Sequence, residues 1–98
     1  MMLIYIFMAV NMSMANRGAE FLKAMGERTR FMILRALAGG ERCACEIPKL
    51  VRRSQPTVSL QLAHLARHGL LRCRRDGKKR IYSIADVRVR KVFDVLGE

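Results

Sequence analysis

The chain has 98 residues, enough for one small domain, and its 19 Lys and Arg against 8 Asp and Glu leave a formal charge of +11. A surplus this large implies a polyanionic partner, nucleic acid first and anionic lipid second. No Trp and 6% aromatic residues argue against a single-strand binder that stacks bases, and three Cys do not make a secreted disulfide framework, so reduced thiols in a cytoplasmic protein are expected.

The chain opens on "MMLIYIFMAV", ten apolar residues, too short to span a bilayer. No basic stretch precedes it and no cleavage site follows, so neither membrane attachment nor a signal peptide is expected. Residues 1–16 form an extra N-terminal segment: either a helix packing at a dimer interface, or upstream sequence with the start at Met12 or Met14. Globular patterning begins only after Asn16, which favours the second, and residues 17–98 make up the domain. Phe21, Leu22 and Met25 then share a helical face, with Gly26 as the stop. Phe31, Ile33, Leu34 and Leu37 recur at helical spacing up to Gly39–Gly40. "CEIPKLV" predicts a short third helix with Pro48 in its first turn, where no backbone donor is missed.

The strongest helix signal is "SQPTVSLQLAHLARHG". Ser54 is a good N-cap, Pro56 sits just inside the start, Val58, Leu62 and Leu65 line one face, and Gly69 closes it. "LLRCRR" and "KRIYSI" read as two strands joined at Asp76–Gly77. "VRVRKVFDVLGE" is a final helix with Val89, Val92, Phe93 and Leu96 on its apolar side. The fold class is mainly α with a β-hairpin wing, a winged helix-turn-helix. A core this small favours a homodimer.

A recognition helix enters the major groove by its N-terminal end. Here that end carries Ser54, Gln55, Thr57, Val58, Ser59 and Gln61, with His64 further along, all candidate DNA contacts. The bland alternative is a polar, solvated face. The hairpin decides between them: from Arg72 to Arg80 stand six cations and one acid, namely Arg72, Arg74, Arg75, Lys78, Lys79 and Arg80 against Asp76. A wing lying along phosphates needs that bias, because neutralising them releases counterions. Arg52 and Arg53 extend the same surface. Leu60, apolar amid the reading face, either packs inside or touches a thymine methyl. Nothing resembles a phosphate-cradling Gly loop and neither His has an acid/base partner, so an enzyme is not expected.

"FLKAMGERTRFMILRALAGGE", "CACEIPKL", "SQPTVSLQLAHLARHGLL" and "RRDGKKRIYSI" together, from about Ala19 to Ile84, resemble the ArsR/SmtB family of metal-sensing winged-helix repressors. The resemblance implies a homodimer on a palindromic double-stranded DNA operator, with the first and last helices at the dimer interface. It also implies repression relieved by an effector. The arsenic-sensing branch carries Cys-x-Cys-Asp/Glu-Leu and then a third Cys three residues after the second. Cys43, Cys45, Glu46 and Ile47 match, and Pro48 stands where the third Cys would be. Residues 1–18 lack the N-terminal cysteines of the cadmium/lead branch. The zinc branch uses Asp and His on the last helix, whereas Asp86 is followed by Arg88 and residues 85–98 hold no His.

Thiolates are good ligands for soft ions, so Cys43 and Cys45 are the candidate metal ligands, with As(III) or Sb(III) as effector and no required cofactor. Arg42 and the positive end of the following helix are expected to favour thiolate. The plainer alternative is two small buried residues. Cys73, on the first wing strand, is expected to lie too far away to be a third ligand. His64 and His68 at i, i+4 read as solvent or phosphate contacts rather than a metal pair. With the thiols at the start of the short helix, ion binding would distort its first turn and shift the recognition helices. Two rivals stand beside this: a redox-sensing repressor, its disulfide forming between subunits or to a small thiol because a direct ring is strained, and an effector-independent architectural DNA-binding protein.

Overall fold

The computed structural model describes residues 2–98, apart from the side chains of Val10 and Ser13. The elements run α1 (Met2–Gly26), α2 (Arg28–Leu37), β1 (Arg42–Cys43), α3 (Ile47–Val51), α4 (Gln55–Arg67), β2 (Leu71–Asp76), β3 (Lys79–Ile84) and α5 (Val87–Leu96). Residues 2–16 continue α1 without a break, and the side chains from Met2 to Met8, with Met12 and Met14, stand exposed. Met1 lies outside the described residues.

Gly26 ends α1 as expected, and Glu27 separates it from α2. Glu27 is extended, and its carboxylate accepts from the backbone N–H of Thr29 at 3.0 Å and Arg30 at 2.9 Å. Those two donors would otherwise have no partner at the start of a helix. Pro48 occupies the first turn of α3, and Ser54 caps α4. Gly77 turns the hairpin at φ 63°, a left-handed conformation that a Cβ would strain.

One core joins all five helices to the sheet. Ile33, Leu34 and Leu37 of α2 meet Ile47 and Val51 of α3 and Val58, Leu62 and Leu65 of α4. Val89 and Phe93 of α5 close it, and Phe93 meets Phe31 edge to face at 5.3 Å. Leu22 was expected in this core but is 55% exposed. With Val92, Val95 and Leu96 it lines an open apolar groove between α1 and α5.

The sheet has a strand the sequence did not announce. Its order is β1-β3-β2, antiparallel throughout, with Cys43 opposite Ile81 and Arg42 opposite Tyr82. Cys43 therefore lies on an edge strand beside the wing and Cys45 in the turn after it, while α3 begins only at Ile47. The expectation that the thiols open the short helix is corrected: the N–H of Ala44 donates to the carbonyl of Arg80 at 2.8 Å, which extends the sheet pairing past Cys43.

Candidate nucleic-acid interface and its thiol neighbour

Helix α4 is set on its scaffold by the turn before it and by a contact at its middle. Arg52 closes α3 in a left-handed conformation (φ 55°), and the Arg53 N–H donates to the Pro48 carbonyl at 3.2 Å. The Arg53 guanidinium folds back to donate to the carbonyl of Arg52 at 3.0 Å, so this cation helps close its own turn, while Arg52 is exposed. Ser54 Oγ accepts from the Thr57 N–H at 3.3 Å and pairs with Thr57 Oγ1 at 2.8 Å. Gln55, Thr57 and Ser59 are exposed beside them.

Val58 corrects the predicted set. It is 1% exposed and belongs to the core, as its spacing with Leu62 and Leu65 requires, so it seats α4 and does not face outward. Gln61 is half-buried, and its Oε1 accepts from Arg30 Nη1 at 3.0 Å. Arg30 also donates through Nε to the Ala24 carbonyl at 2.6 Å and through Nη2 to the Lys23 carbonyl at 3.2 Å. One guanidinium thus ties the C-terminal end of α1 to the middle of α4, a role that local sequence did not suggest.

His64 and His68 stack at 4.3 Å between ring centroids. Burial, then the charges of Arg30, His68 and Arg67, hold the His64 imidazole below its ordinary range. Among the described residues no group of three or more His, Cys, Asp or Glu side chains is placed to hold a metal ion.

In the wing, Arg72, Arg74, Arg75, Lys78, Lys79 and Arg80 are all exposed. Arg74 is the one wing cation in an ion pair among the described residues: its Nη2 and Nε donate to the Glu41 carboxylate at 2.6 and 3.2 Å. The hydrogen bond from Arg74 lowers the Glu41 carboxyl below its usual range. Glu41 was not among the predicted residues, and its partner lies 33 positions away.

Cys43 is 7% exposed and Cys45 exposed, and their sulfurs meet in a direct disulfide with the Cα atoms 5.2 Å apart. The turn closes through the Glu46 N–H on the Cys43 carbonyl at 3.0 Å, and the Glu46 carboxylate accepts from the Cys43 N–H at 3.1 Å. Arg42, expected to support a thiolate, instead donates to the Ala36 carbonyl at 2.9 Å and pairs with Glu46 at 3.7 Å. Helix α3 has five residues, so its dipole gives the thiols little.

Cross-strand neighbours share a face of a sheet and successive residues alternate. Cys43, Ile81 and Arg74 therefore form one row, and Arg42, Tyr82 and Cys73 the next, on the opposite face. Cys73 is exposed and kept from Cys43 by that alternation. Burial, then the neighbouring Cys73, raises the Tyr82 hydroxyl above its ordinary range.

Comparison with known proteins matches residues 27–72 to a family described as bacterial regulatory protein, arsR family. An uncharacterized HTH-type transcriptional regulator of Methanocaldococcus jannaschii is 37% identical over 84% of this chain and 93% of its own length. A probable mercury resistance operon repressor of Streptomyces lividans is 41% identical over 72% of this chain, which spans 57% of that relative. A homodimeric winged helix-turn-helix DNA-binding domain from Mycobacterium bovis superposes with a TM-score of 0.77 at 30% identity, covering 89% of this chain and 81% of its own. No helix among the described residues is long and apolar enough to cross a membrane.

Proposed function

The chain belongs to the ArsR/SmtB family of winged helix-turn-helix transcriptional repressors, and from that premise we propose that it is a homodimer whose hold on a palindromic operator is relieved when a soft metal or metalloid ion, arsenite or antimonite foremost, binds Cys43 and Cys45. Two copies would pair through the apolar groove of Leu22, Val92, Val95 and Leu96. That pairing would set two α4 helices about one DNA turn, roughly 34 Å, apart. Ser54, Gln55, Thr57, Ser59 and Gln61 would face bases and nearby phosphates, with His64 and Arg52 at the margins. Arg72, Arg75, Lys78, Lys79 and Arg80 would follow the backbone, Arg74 would join them only on leaving Glu41, and Arg53 would hold the turn from which α4 is presented.

The observation that carries the effector role is the row Cys43–Ile81–Arg74, which runs from a thiol across three strands to a wing cation. An ion drawing on Cys43 acts on the strand that aims the wing. A trivalent ion would take its third donor from a small thiol or oxygen ligand in solution. The named mercury repressor among the relatives brings mercury(II) into the same test. A coupling of about 1–3 kcal/mol would loosen the operator roughly 5- to 150-fold.

A second reading, thiol oxidation, is favoured by the direct contact of the two sulfurs. It needs an oxidant such as peroxide, which takes up the two hydrogens lost as the Cys43–Cys45 bond forms. The experiment is fluorescence anisotropy of reduced protein on duplex DNA, titrated with arsenite, antimonite, mercury(II) or peroxide. Replacing both Cys43 and Cys45 by Ser is expected to abolish release and leave DNA affinity within about twofold, since both lie outside α4, on β1 and in the turn after it. Release persisting in the double variant would sink the thiol site. Release by peroxide alone, with an intact mass two hydrogens lighter, would select the redox reading.

A further inference from the structure

Helix α4 has an outermost line, and its first two turns are apolar before Arg67 ends it. At 3.6 residues per turn, Leu60 stands about 190° around the helix from the mean direction of Val58, Leu62 and Leu65. Those three are buried at 1%, 2% and 0%, whereas Leu60 is 70% exposed. Pro56 and Ala63 lie a turn to either side on the same line, both exposed, with Thr57 and Ser59 flanking. Among the described residues Leu60 is left largely uncovered.

The surroundings restrict what Leu60 meets. Exposed Arg52 lies just before α4, and the wing cations stand after it. A surface of that sign is brought against phosphate, and an outward line on the helix packed beside the wing would then face the floor of the groove. In the major groove the base edges offer donors, acceptors and one apolar group, the C5-methyl of thymine. We propose that Leu60 is a specificity-determining residue that reads a thymine methyl in each half-site, an inference that rests on the DNA-binding role proposed above. Thr57 and Ser59 then supply hydroxyls on either side, and the central contact of the helix is apolar. A cytosine at that position leaves the Leu60 side chain dehydrated against a polar edge.

The test separates this inference from the role it rests on. Duplexes that bind the full-length protein are selected from a random pool. Each thymine of the selected site is then replaced in turn by uracil, which removes the methyl and nothing else. Anisotropy is read for wild type and for Leu60→Ala. Burying one methyl-sized group corresponds to about fourfold in affinity, so uracil at the read position of both half-sites is expected to weaken wild type about 15-fold. Leu60→Ala is expected to bind thymine and uracil duplexes alike and to keep its melting temperature, since the side chain is exposed. Equal binding of both duplexes by wild type would overturn the inference while leaving DNA binding intact. So would an undiminished thymine preference in Leu60→Ala. Failure to select any duplex would remove the DNA-binding role, and this inference with it.

Discussion

Glu41→Gln is the sharpest probe of how the wing is held. Two bonds, at 2.6 and 3.2 Å, fix the Arg74 guanidinium on the Glu41 carboxylate in the free protein. Arg74 cannot offer the same fork to a phosphate until it leaves that carboxylate. In wild type it would therefore contribute little to counterion release, leaving the wing's share to the other wing cations. Gln keeps the size of Glu and removes its charge, so the variant frees one cation per protomer. Each new phosphate contact steepens the slope of log affinity against log salt by about 0.9, and a dimer therefore by about 1.8. Between 50 and 200 mM salt that amounts to about a 12-fold greater loss of affinity, on top of a higher affinity at the low end. Anisotropy on one fixed duplex over that salt range reads both. Adding Arg74→Gln to the variant is expected to return the slope to the wild-type value. An unchanged or shallower slope in Glu41→Gln would mean that Glu41 aims Arg74 at DNA rather than holding it away, and the reasoning would be refuted.

Two further outcomes test the scaffold beneath the reading helix. Arg30→Lys keeps the charge but cannot bond the carbonyls of Ala24 and Lys23 and the amide of Gln61 together. The loss is expected to be about 2 kcal/mol, lowering the melting temperature by about 10 °C in circular dichroism, and a melt matching wild type would show that these bonds are dispensable. Glu27 tests the α1–α2 boundary through pH. Burial pushes its carboxyl up, but hydrogen bonds from the Thr29 and Arg30 N–H groups, with the Arg30 charge, outweigh burial, and the result lies below the ordinary 4.5. A carboxyl depressed by folding adds stability that is present above its unfolded value and lost as pH falls through the folded one. Gln imitates the protonated acid, so Glu27→Gln is expected to be less stable than wild type by about 1 kcal/mol at pH 7 in urea titrations and equal to it near pH 2. A gap that persists in acid would place the effect outside the capping carboxylate.

The parts of the fold visible in the sequence are those specified by neighbours along the chain. Ser54, Pro56 and three apolar residues at helical spacing define α4 within a dozen positions, and Asp76–Gly77 with basic strands on either side defines the wing. Strand β1 has no such signal. It is two residues long and exists because Cys43 finds Ile81 across the sheet, a partner set by the wing rather than by its own sequence. The Arg30–Gln61 and Glu41–Arg74 contacts are also distant in sequence, 31 and 33 positions apart. Charge complementarity alone could not choose Arg74 over five other wing cations as the partner of Glu41. Val58 shows the opposite failure: its helical spacing already places it in the core, although it stands at the N-terminal end of α4 among exposed polar residues.

Moving the cysteines from a helix to a strand edge changes how a signal would travel. From within α3, a distortion would have to pass through a five-residue helix whose first backbone bond, Leu50 N–H to the Glu46 carbonyl, is 3.4 Å long. That bond is weak enough to give way before α4 moves. From the strand edge the path is shorter. Ala44 sits between the two cysteines, and its N–H donates to the carbonyl of Arg80, a wing cation, at 2.8 Å. Any bridge between Cys43 and Cys45, whether a metal ion or a disulfide, constrains the peptide groups on both sides of Ala44. The direction of that N–H then depends on the length of the bridge. Metal and redox effectors would share one output through Arg80 and differ in how far they turn it. The two routes part company in the wing: if the sheet edge transmits, ligation of the thiols changes amide-exchange protection along β3 first, whereas transmission through α3 would leave β3 unaltered and loosen the Arg52–Ser54 turn.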